Sequence, residues 1–446
     1  MLGILQNITF RRLFVAQIVA LLGTGLLTIA LGLLAFDLAG SNAGKVLGLA
    51  LTIKMLAYVG LSPFATALVA RMDRRKVMIG ADLVRAGAAL CLPFIDATWQ
   101  IYLLIFVLQA ASATFTPTFQ AVIPDVLPDE GDYTRALSLS RLAYDTENLA
   151  SPILAGLLLS VVVPSSLFLG TALGFLVSAG LILGVQLPKS AAPTDRPFRE
   201  RLTSGIRIYL ATPRLRGLLA LNFSIAFVGS VVLVLSIVIV RGVYNGAERD
   251  LAIALGAFGI GSMGVALLLP GLLDTLRDRS VMMIAAAAAS IAVFALGTGI
   301  LIADWPSWTV LLAFWCFLGA SMAAILTPAG RLLRRSARDV DRPAVFAAQF
   351  ALSHVCWLVA YPASGFLSSA IGLAPTMTIL GALGLVSVLA ARLVWPFADD
   401  RELEHEHKDL APDHPHLGDA IKRGGTFVHR HRFVIDDEHR VWPTSG

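Results

Sequence analysis

Apolar residues run along this chain in long uninterrupted blocks, separated by short polar turns. Each block is near the roughly 20 residues that cross a hydrocarbon layer as a helix. Lipid offers no partner to an exposed backbone amide, so each block predicts a helix that closes its own hydrogen bonds. The blocks place spans near 13–36, 46–69, 77–95, 101–123, 136–161, 166–187, 215–240, 251–273, 281–303, 308–330, 344–369 and 373–395. The expectation is an all-α membrane protein with twelve transmembrane helices in two six-helix, pseudo-symmetric halves. The halves are 1–187 and 215–396, joined by a linker at 188–214 and followed by a polar tail at 397–446. Leu2 to Arg12 is short and polar. The first apolar block is too long for the core of a signal peptide and lacks a small-residue cleavage site, so it reads as the first span.

Composition agrees with this picture. Of 446 residues, 57% are hydrophobic and 15% charged, against about a quarter charged in an ordinary soluble chain. Lys and Arg in short loops set orientation. Arg11 and Arg12 precede span 1, Arg71, Arg74, Arg75 and Lys76 follow span 2, and Arg277 and Arg279 follow span 8. Arg331, Arg334, Arg335, Arg338 and Arg342 follow span 10, whereas the loop from Asp37 to Lys45 is poor in cations. Both termini are therefore expected in the cytoplasm, with the chain in a bacterial inner membrane. The same clustering accounts for the net charge of +5 without a nucleic-acid partner. Cys91, Cys316 and Cys356 all fall inside apolar blocks and suggest no disulfide framework.

The longest loop between spans, Pro188 to Arg216, carries Lys189, Arg196, Arg199, Arg201 and Arg207, with apolar residues spaced as in an interfacial helix. It divides the spans six and six, the pattern of two repeats with a site between them. A weak internal repeat supports the division. Leu68-Val-Ala-Arg71-Met-Asp73-Arg74-Arg75-Lys-Val77-Met78 follows span 2, and Leu272-Leu-Asp274-Thr-Leu-Arg277-Asp278-Arg279-Ser-Val281-Met282 follows span 8. Span 5 holds Ser151-Pro152-Ile-Leu-Ala155-Gly156, and span 11 holds Tyr361-Pro362-Ala-Ser364-Gly365.

At these residues the chain resembles the major facilitator superfamily. That family's signature between spans 2 and 3 runs Gly-x-Leu-Ala-Asp-Arg-x-Gly-Arg-Lys. Leu68, Arg71, Arg74 and Arg75 fit it, while Thr66, Ala70 and Asp73 stand where the family has Gly, Asp and Gly. The family's antiporter motif, Gly-Pro-x-x-Gly-Gly, is matched by Ser151-Pro152-x-x-Ala155-Gly156. Phe10 to Gln17, Phe115 to Gln120, Ile123 to Asp129, Tyr133 to Asp145 and Ile208 to Gly217 look like the nickel-resistance (nickel/cobalt efflux) exporters of the drug:proton-antiporter-like branch. The resemblance implies alternating access, proton coupling and a divalent metal as transported substrate.

The tail holds the most distinctive chemistry. Seven of the eight histidines lie after Pro396, six of them as His405/His407, His414/His416 and His429/His431, with His439 after Asp436, Asp437 and Glu438. Neutral imidazole is a ligand for Ni, Co, Zn and Cu, and residues i and i+2 of an extended segment point the same way. All seven are candidate metal ligands. The absence of tail cysteine and methionine argues against Cu(I), and the donors leave Ni2+, Co2+ and Zn2+ open. Thr426 to Ile435, strand-like after Gly424-Gly425, raises the prospect of a small hairpin.

Ionisable residues inside spans are costly and therefore functional candidates. Lys54 lies on span 2, and Asp82 and Arg85 share a face of span 3. Arg141, Asp145 and Asn148 form a stripe on span 5, with Glu147 on another side, and His354 is the one histidine within a span. The bland alternatives stay open: Asp82–Arg85 and Arg141–Asp145 as structural ion pairs, His354 as a packed histidine, and Gln17 and Asn222 as interhelical hydrogen-bond partners. Gly256, Gly259, Gly261 and Gly264 lie inside an apolar span without a following Lys-Ser/Thr and read as close packing, not a phosphate loop.

Taken together, the expectation is a monomeric secondary transporter, not an enzyme, with no cofactor. Its expected work is export of Ni2+ or Co2+ by proton antiport, with Glu147, Asp145 and His354 exchanging metal for protons and the tail capturing the ion. The alternative is a proton-coupled exporter of drugs or siderophores. Aromatic and apolar lining of the central space would favour the organic cargo, and convergent carboxylate, Asn and His would favour the metal.

Overall fold

The computed structural model describes residues 2–61, 72–129, 132, 136, 139–140, 143, 151, 154–187, 198–273, 275–338, 341–396, 402–407, 421–423, 426–432, 434–435, 439 and 442. Ten stretches among them are long and apolar enough to cross a membrane. The first, Ile8–Leu61, contains a turn and so covers the first two expected spans. Half of the fifth expected span lies outside the described residues. The membrane part is all-helical, and the twelve-span expectation is consistent with it.

In the first half, α1 is Ile8–Ala39, α2 Ala43–Leu56, α3 Arg74–Cys91, α4 Thr98–Val126 and α5 Ser166–Leu183. The linker forms helix α6, Phe198–Ala211. The second half comprises α7 Pro213–Ser230, which continues helically to Val243, then α8 Glu248–Leu272, α9 Asp278–Ile302, α10 Trp308–Arg335, α11 Arg342–Ile371 and α12 Leu373–Val394. Local chemistry sets several starts. Asn7 accepts from the amide of Phe10 at the head of α1, and Asp73 accepts from the amides of Arg75 and Lys76 at the head of α3. Both satisfy amides that a helix start leaves without partners.

Lipid is as apolar as leucine, so helix association rests on close packing of small residues. The α8/α10 pair is the extreme case. A Cβ on Gly261 would collide with the Cys316 carbonyl, and one on Gly319 with that of Phe258. Gly261 is thus the packing glycine expected of that span.

The core is divided in an informative way. One cluster joins both halves, bringing Leu31, Ala35, Leu47 and Leu51 together with Val234, Leu235, Ile237 and Trp315. These residues lie toward the end of the bundle away from the N-terminus. At the N-terminal end the halves have separate clusters. Phe10, Met78, Phe115 and Ile182 belong to one. Tyr209, Leu218, Met282 and Trp395 belong to the other.

The tail adds a small sheet to the helical bundle, in the stretch where a hairpin was in prospect. It forms a three-stranded antiparallel sheet of β1 Glu402–His407, β2 Ile421–Arg423 and β3 Thr426–Arg432, in the order β1-β3-β2. Thr426, Phe427 and Val428 are β-branched and aromatic residues of the kind that suit a strand, and β3 pairs with both β1 and β2. Beyond β3, Ile435 is fully buried in the second-half cluster with Ile208, Tyr209 and Trp395, and Trp442 packs against its edge.

Candidate transport site between the halves

The two halves meet most closely along α2 and α11. A Cβ on Gly48 would lie 2.7 Å from the Tyr361 carbonyl oxygen, and one on Gly365 2.6 Å from that of Gly44. These glycines let the backbones touch. Around them, Lys45 Nζ stands 5.3 Å from the Phe366 ring. Gly156 faces Ala252, with 3.3 Å available to a Cβ. Arg241 of the α7 extension bridges to Asp37 of the first half at 3.9 Å and to Glu248 of its own half at 2.6 Å. All these contacts lie at the end away from the N-terminus.

Further along the same seam, a stripe of rings opens. Tyr58 lies in the turn Ala57–Leu61 that extends α2. Its ring is 6.3 Å from Phe350 and 5.6 Å from His354 on α11. Phe350 and His354 are one turn apart, with centroids 4.1 Å apart. Trp357 and Tyr361 continue the face, 4.9 Å from each other. Positions 350, 354, 357 and 361 follow the helical period, so they share a side of α11. Trp357 reaches into the bundle: a Cβ on Gly229 of α7 would sit 2.5 Å from its ring, and 3.2 Å from Met322 of α10.

His354 Nδ1 is 2.7 Å from the Phe350 carbonyl, which accepts if that nitrogen is protonated. The other ring nitrogen then remains free to accept a proton. Lys54 lies within electrostatic reach of His354 and is itself engaged with a partner. Gln17 on α1 and Asn222 on α7 are both buried. Gln17 Oε1 and Asn222 Nδ2 have no hydrogen-bond partner among the described residues.

Asp82 and Arg85 do pair, and both are buried. The Arg85 guanidinium lies between Phe115, at 4.3 Å, and Phe175, at 4.4 Å. The pair therefore sits inside the first half among α3, α4 and α5, remote from the α2/α11 seam. Arg74 pairs with Asp125 at the end of α4, and Arg75 donates to the Leu183 carbonyl. Asp73 serves as the helix cap already described. Arg71, Arg141, Asp145, Glu147, Asn148 and Pro152 lie outside the described residues. So do His414 and His416, and the side chains of His405, His407, His429 and His431. His439 is described and buried.

Sequence reasoning passed over Tyr58, Phe350, Trp357 and Arg241. The aromatic spacing around His354 was the available signal for Phe350 and Trp357, and no local signal marked Tyr58. Among the described residues no three side chains of His, Cys, Asp or Glu converge as a metal site. The three cysteines are free.

The model of the Major Facilitator Superfamily matches residues 13–298. Macrolide efflux protein A of Streptococcus pyogenes is 26% identical over 281 residues, covering 61% of this chain and 68% of that one. The Enterococcus faecalis protein of the same name is 27% identical over 246 residues, covering 53% and 75%. These relatives are macrolide efflux proteins rather than nickel or cobalt exporters. Among solved structures, the nucleoside transporter NupG (D323A mutant) overlays with a TM-score of 0.70 at 12% identity, covering 87% of this chain and 100% of that chain. A bacterial homolog of the human lysosomal transporter Spinster, inward-facing and unoccupied, also gives 0.70, at 14% identity with 88% and 97% coverage.

Proposed function

We propose, from the premise that this chain belongs to the major facilitator superfamily and is a multi-pass membrane transporter, that it exports an organic, partly apolar molecule in exchange for protons. The observation that carries the reading is the divided core. A bundle whose halves share one cluster at one end and keep separate clusters at the other is built to rock about the seam between them. The substrate class follows from the seam itself. Tyr58, Phe350 and Trp357 offer flat apolar area, and His354 and Lys54 add a few polar groups, the usual make-up of a small-molecule site. Macrolide efflux by the relatives supports the same class.

Orientation in this reading rests on the cations at the N-terminal end, which place that end and the tail in the cytoplasm of a bacterial inner membrane. The halves are then open toward the cytoplasm and sealed on the far side by the Gly48/Gly365 contact and the Arg241 bridge. His354, Asp145 and Glu147 are the proposed proton carriers. A group that is protonated when substrate leaves and deprotonated when it binds couples the two fluxes.

Export of Ni2+ or Co2+ rests on the tail histidines and on Asp145, Glu147 and Asn148, outside the described residues. One assay separates the cargoes. Cells lacking their own exporters are loaded with a macrolide, a fluorescent organic cation or Ni2+, and retention is compared with and without this protein. The expected result is faster loss of an organic compound, abolished by a proton uncoupler, with Ni2+ content unchanged. Lowered Ni2+ content with no effect on any organic compound would overturn the reading in favour of the metal.

A further inference from the structure

We infer that Gly229 sets the upper size of the cargo, by giving the Trp357 indole a slot into which it retreats from the seam. The inference rests on the organic-cargo reading and names the residue that decides which organic molecules fit. Gly229 lies on α7 and is buried. Its backbone is not left-handed, so no turn calls for glycine there. A glycine within a helix is less favourable than alanine; what it provides here is room. An added Cβ would stand 2.5 Å from Cη2 of Trp357 on α11, 3.2 Å from Cε and 3.3 Å from Sδ of Met322 on α10. The indole thus ends where the side chain of residue 229 would begin.

The obstacle differs in kind from the one at Gly261 and Gly319. There the carbonyls of Cys316 and Phe258 stand in the way of a new methyl group, and two backbones would have to separate. At Gly229 the blocking atoms are the ends of side chains, which can move while the helices stay packed. A methyl group at residue 229 therefore re-aims the indole rather than parting α7 from α11.

Where the ring would go follows from its surroundings. Trp357 is half-buried and borders both the cluster that joins the halves and the cluster of the second half. It stands where the shared packing ends and the space between the halves begins. His354 and Tyr361 share its side of α11. The Tyr361 ring is 4.9 Å from the indole, and the His354 ring is 5.6 Å from Tyr58 of the first half. At about 3.6 residues per turn, Trp357 takes one edge of that side, the edge that meets α7. With α7 and Met322 closing the inner side, the free course for the indole is toward Tyr58 and His354, into the space a cargo would occupy. Trp357 is then the residue that touches cargo, and Gly229 and Met322 position it. Close-packed interiors register a single methyl group, and pockets separate ligands one methylene apart by about 10–200-fold.

The test is uptake of ethidium, rhodamine and a macrolide, in rising size, into everted membrane vesicles with an acid interior. KM and maximal rate are measured for each compound that the unmodified protein moves. Gly229→Ala is expected to raise KM for the largest of them by about tenfold or more. KM for the smallest and all maximal rates should change little, the pattern of lost binding rather than lost turnover. Gly229→Ala/Trp357→Leu, which removes the displaced ring, should recover most of the loss, and this recovery decides the matter if only one compound is moved. Met322→Phe crowds the same ring from α10, should act like Gly229→Ala, and replaces it if that variant does not fold. Thermal unfolding in detergent identifies the folded variants. Equal rises in KM for every compound, or no recovery in a folded double variant, would overturn the slot and leave the transport reading standing. An unmodified protein that moves none of the three would overturn that reading and the slot with it.

Discussion

At the N-terminal end, the two halves close corresponding helix pairs with the same lock in opposite polarity. In the first half the cation stands at the head of α3 and the carboxylate at the end of α4, as Arg74–Asp125. In the second half the carboxylate stands at the head of α9 and the cations at the end of α10, as Asp278 with Arg331 at 3.7 Å and Arg335 at 3.0 Å. Arg74 and Asp278 occupy the same place in the internal repeat. What the repeat preserves is a charge pair tying two helix ends at one level, not the helix that carries each sign. The two locks also differ in depth. The Asp278 side chain is 3% exposed, whereas Arg74 and Asp125 are 25% and 29% exposed. A buried carboxylate depends on its partners far more than a wet one does.

The comparison can be broken most severely through the scaffold of the second lock. Helix α10, which supplies Arg331 and Arg335, is seated on α8 by Gly261 and Gly319. Gly261→Ala is expected to cost about 3 kcal/mol or more, because neither backbone can yield to a new methyl group. Size-exclusion and thermal unfolding in detergent should show loss of folded protein. Next in size is Asp278→Asn, which removes the charge facing two guanidinium groups. It should cost about 2 kcal/mol, in the range of hydrogen bonds to charged groups, and lower the melting temperature without loss of expression.

The polarity argument is sharpened by a charge swap. Arg74→Asp should cost about 1 kcal/mol, as an exposed pair turns repulsive. Adding Asp125→Arg should restore stability, since the second half already works in that polarity. A folded double variant no more stable than the single would show that polarity matters in the first half. The smallest effect is expected at the far end. Asp37→Asn removes the 3.9 Å bridge from Arg241, and Asp37 is 61% exposed. Its cost should be below about 0.5 kcal/mol. The readout is a modest rise in the population open on that side, measured as spin-label distances across the α2/α11 seam.

The helices were readable from the chain because their cause is local. An apolar block in lipid has one way to satisfy its backbone, so Trp308–Arg335 and Leu373–Val394 follow from composition alone. The start of α3 at Arg74 was three residues earlier than expected, because the Asp73 cap and two arginines extend a helix beyond its apolar part. His354 stood out as a lone ring in a span. Its neighbours did not, because Tyr58 is distant in sequence and reaches it only when the halves close. The tail histidines were conspicuous in number, but composition places no two of them face to face. His405 stands opposite His429 only through the pairing of β1 with β3, strands that lie about twenty residues apart along the chain.

Legible in the chain alone, then, were the helical membrane fold and the superfamily, because bilayer thickness and backbone hydrogen bonding act on each segment separately. Tertiary structure decided which groups share the seam, where the core divides, which sign each lock carries on which helix, and that Ile435, beyond β3, packs into the second-half cluster. Those outcomes depend on residues brought together from remote parts of the chain, and close packing between glycine backbones selects among arrangements that hydropathy cannot distinguish.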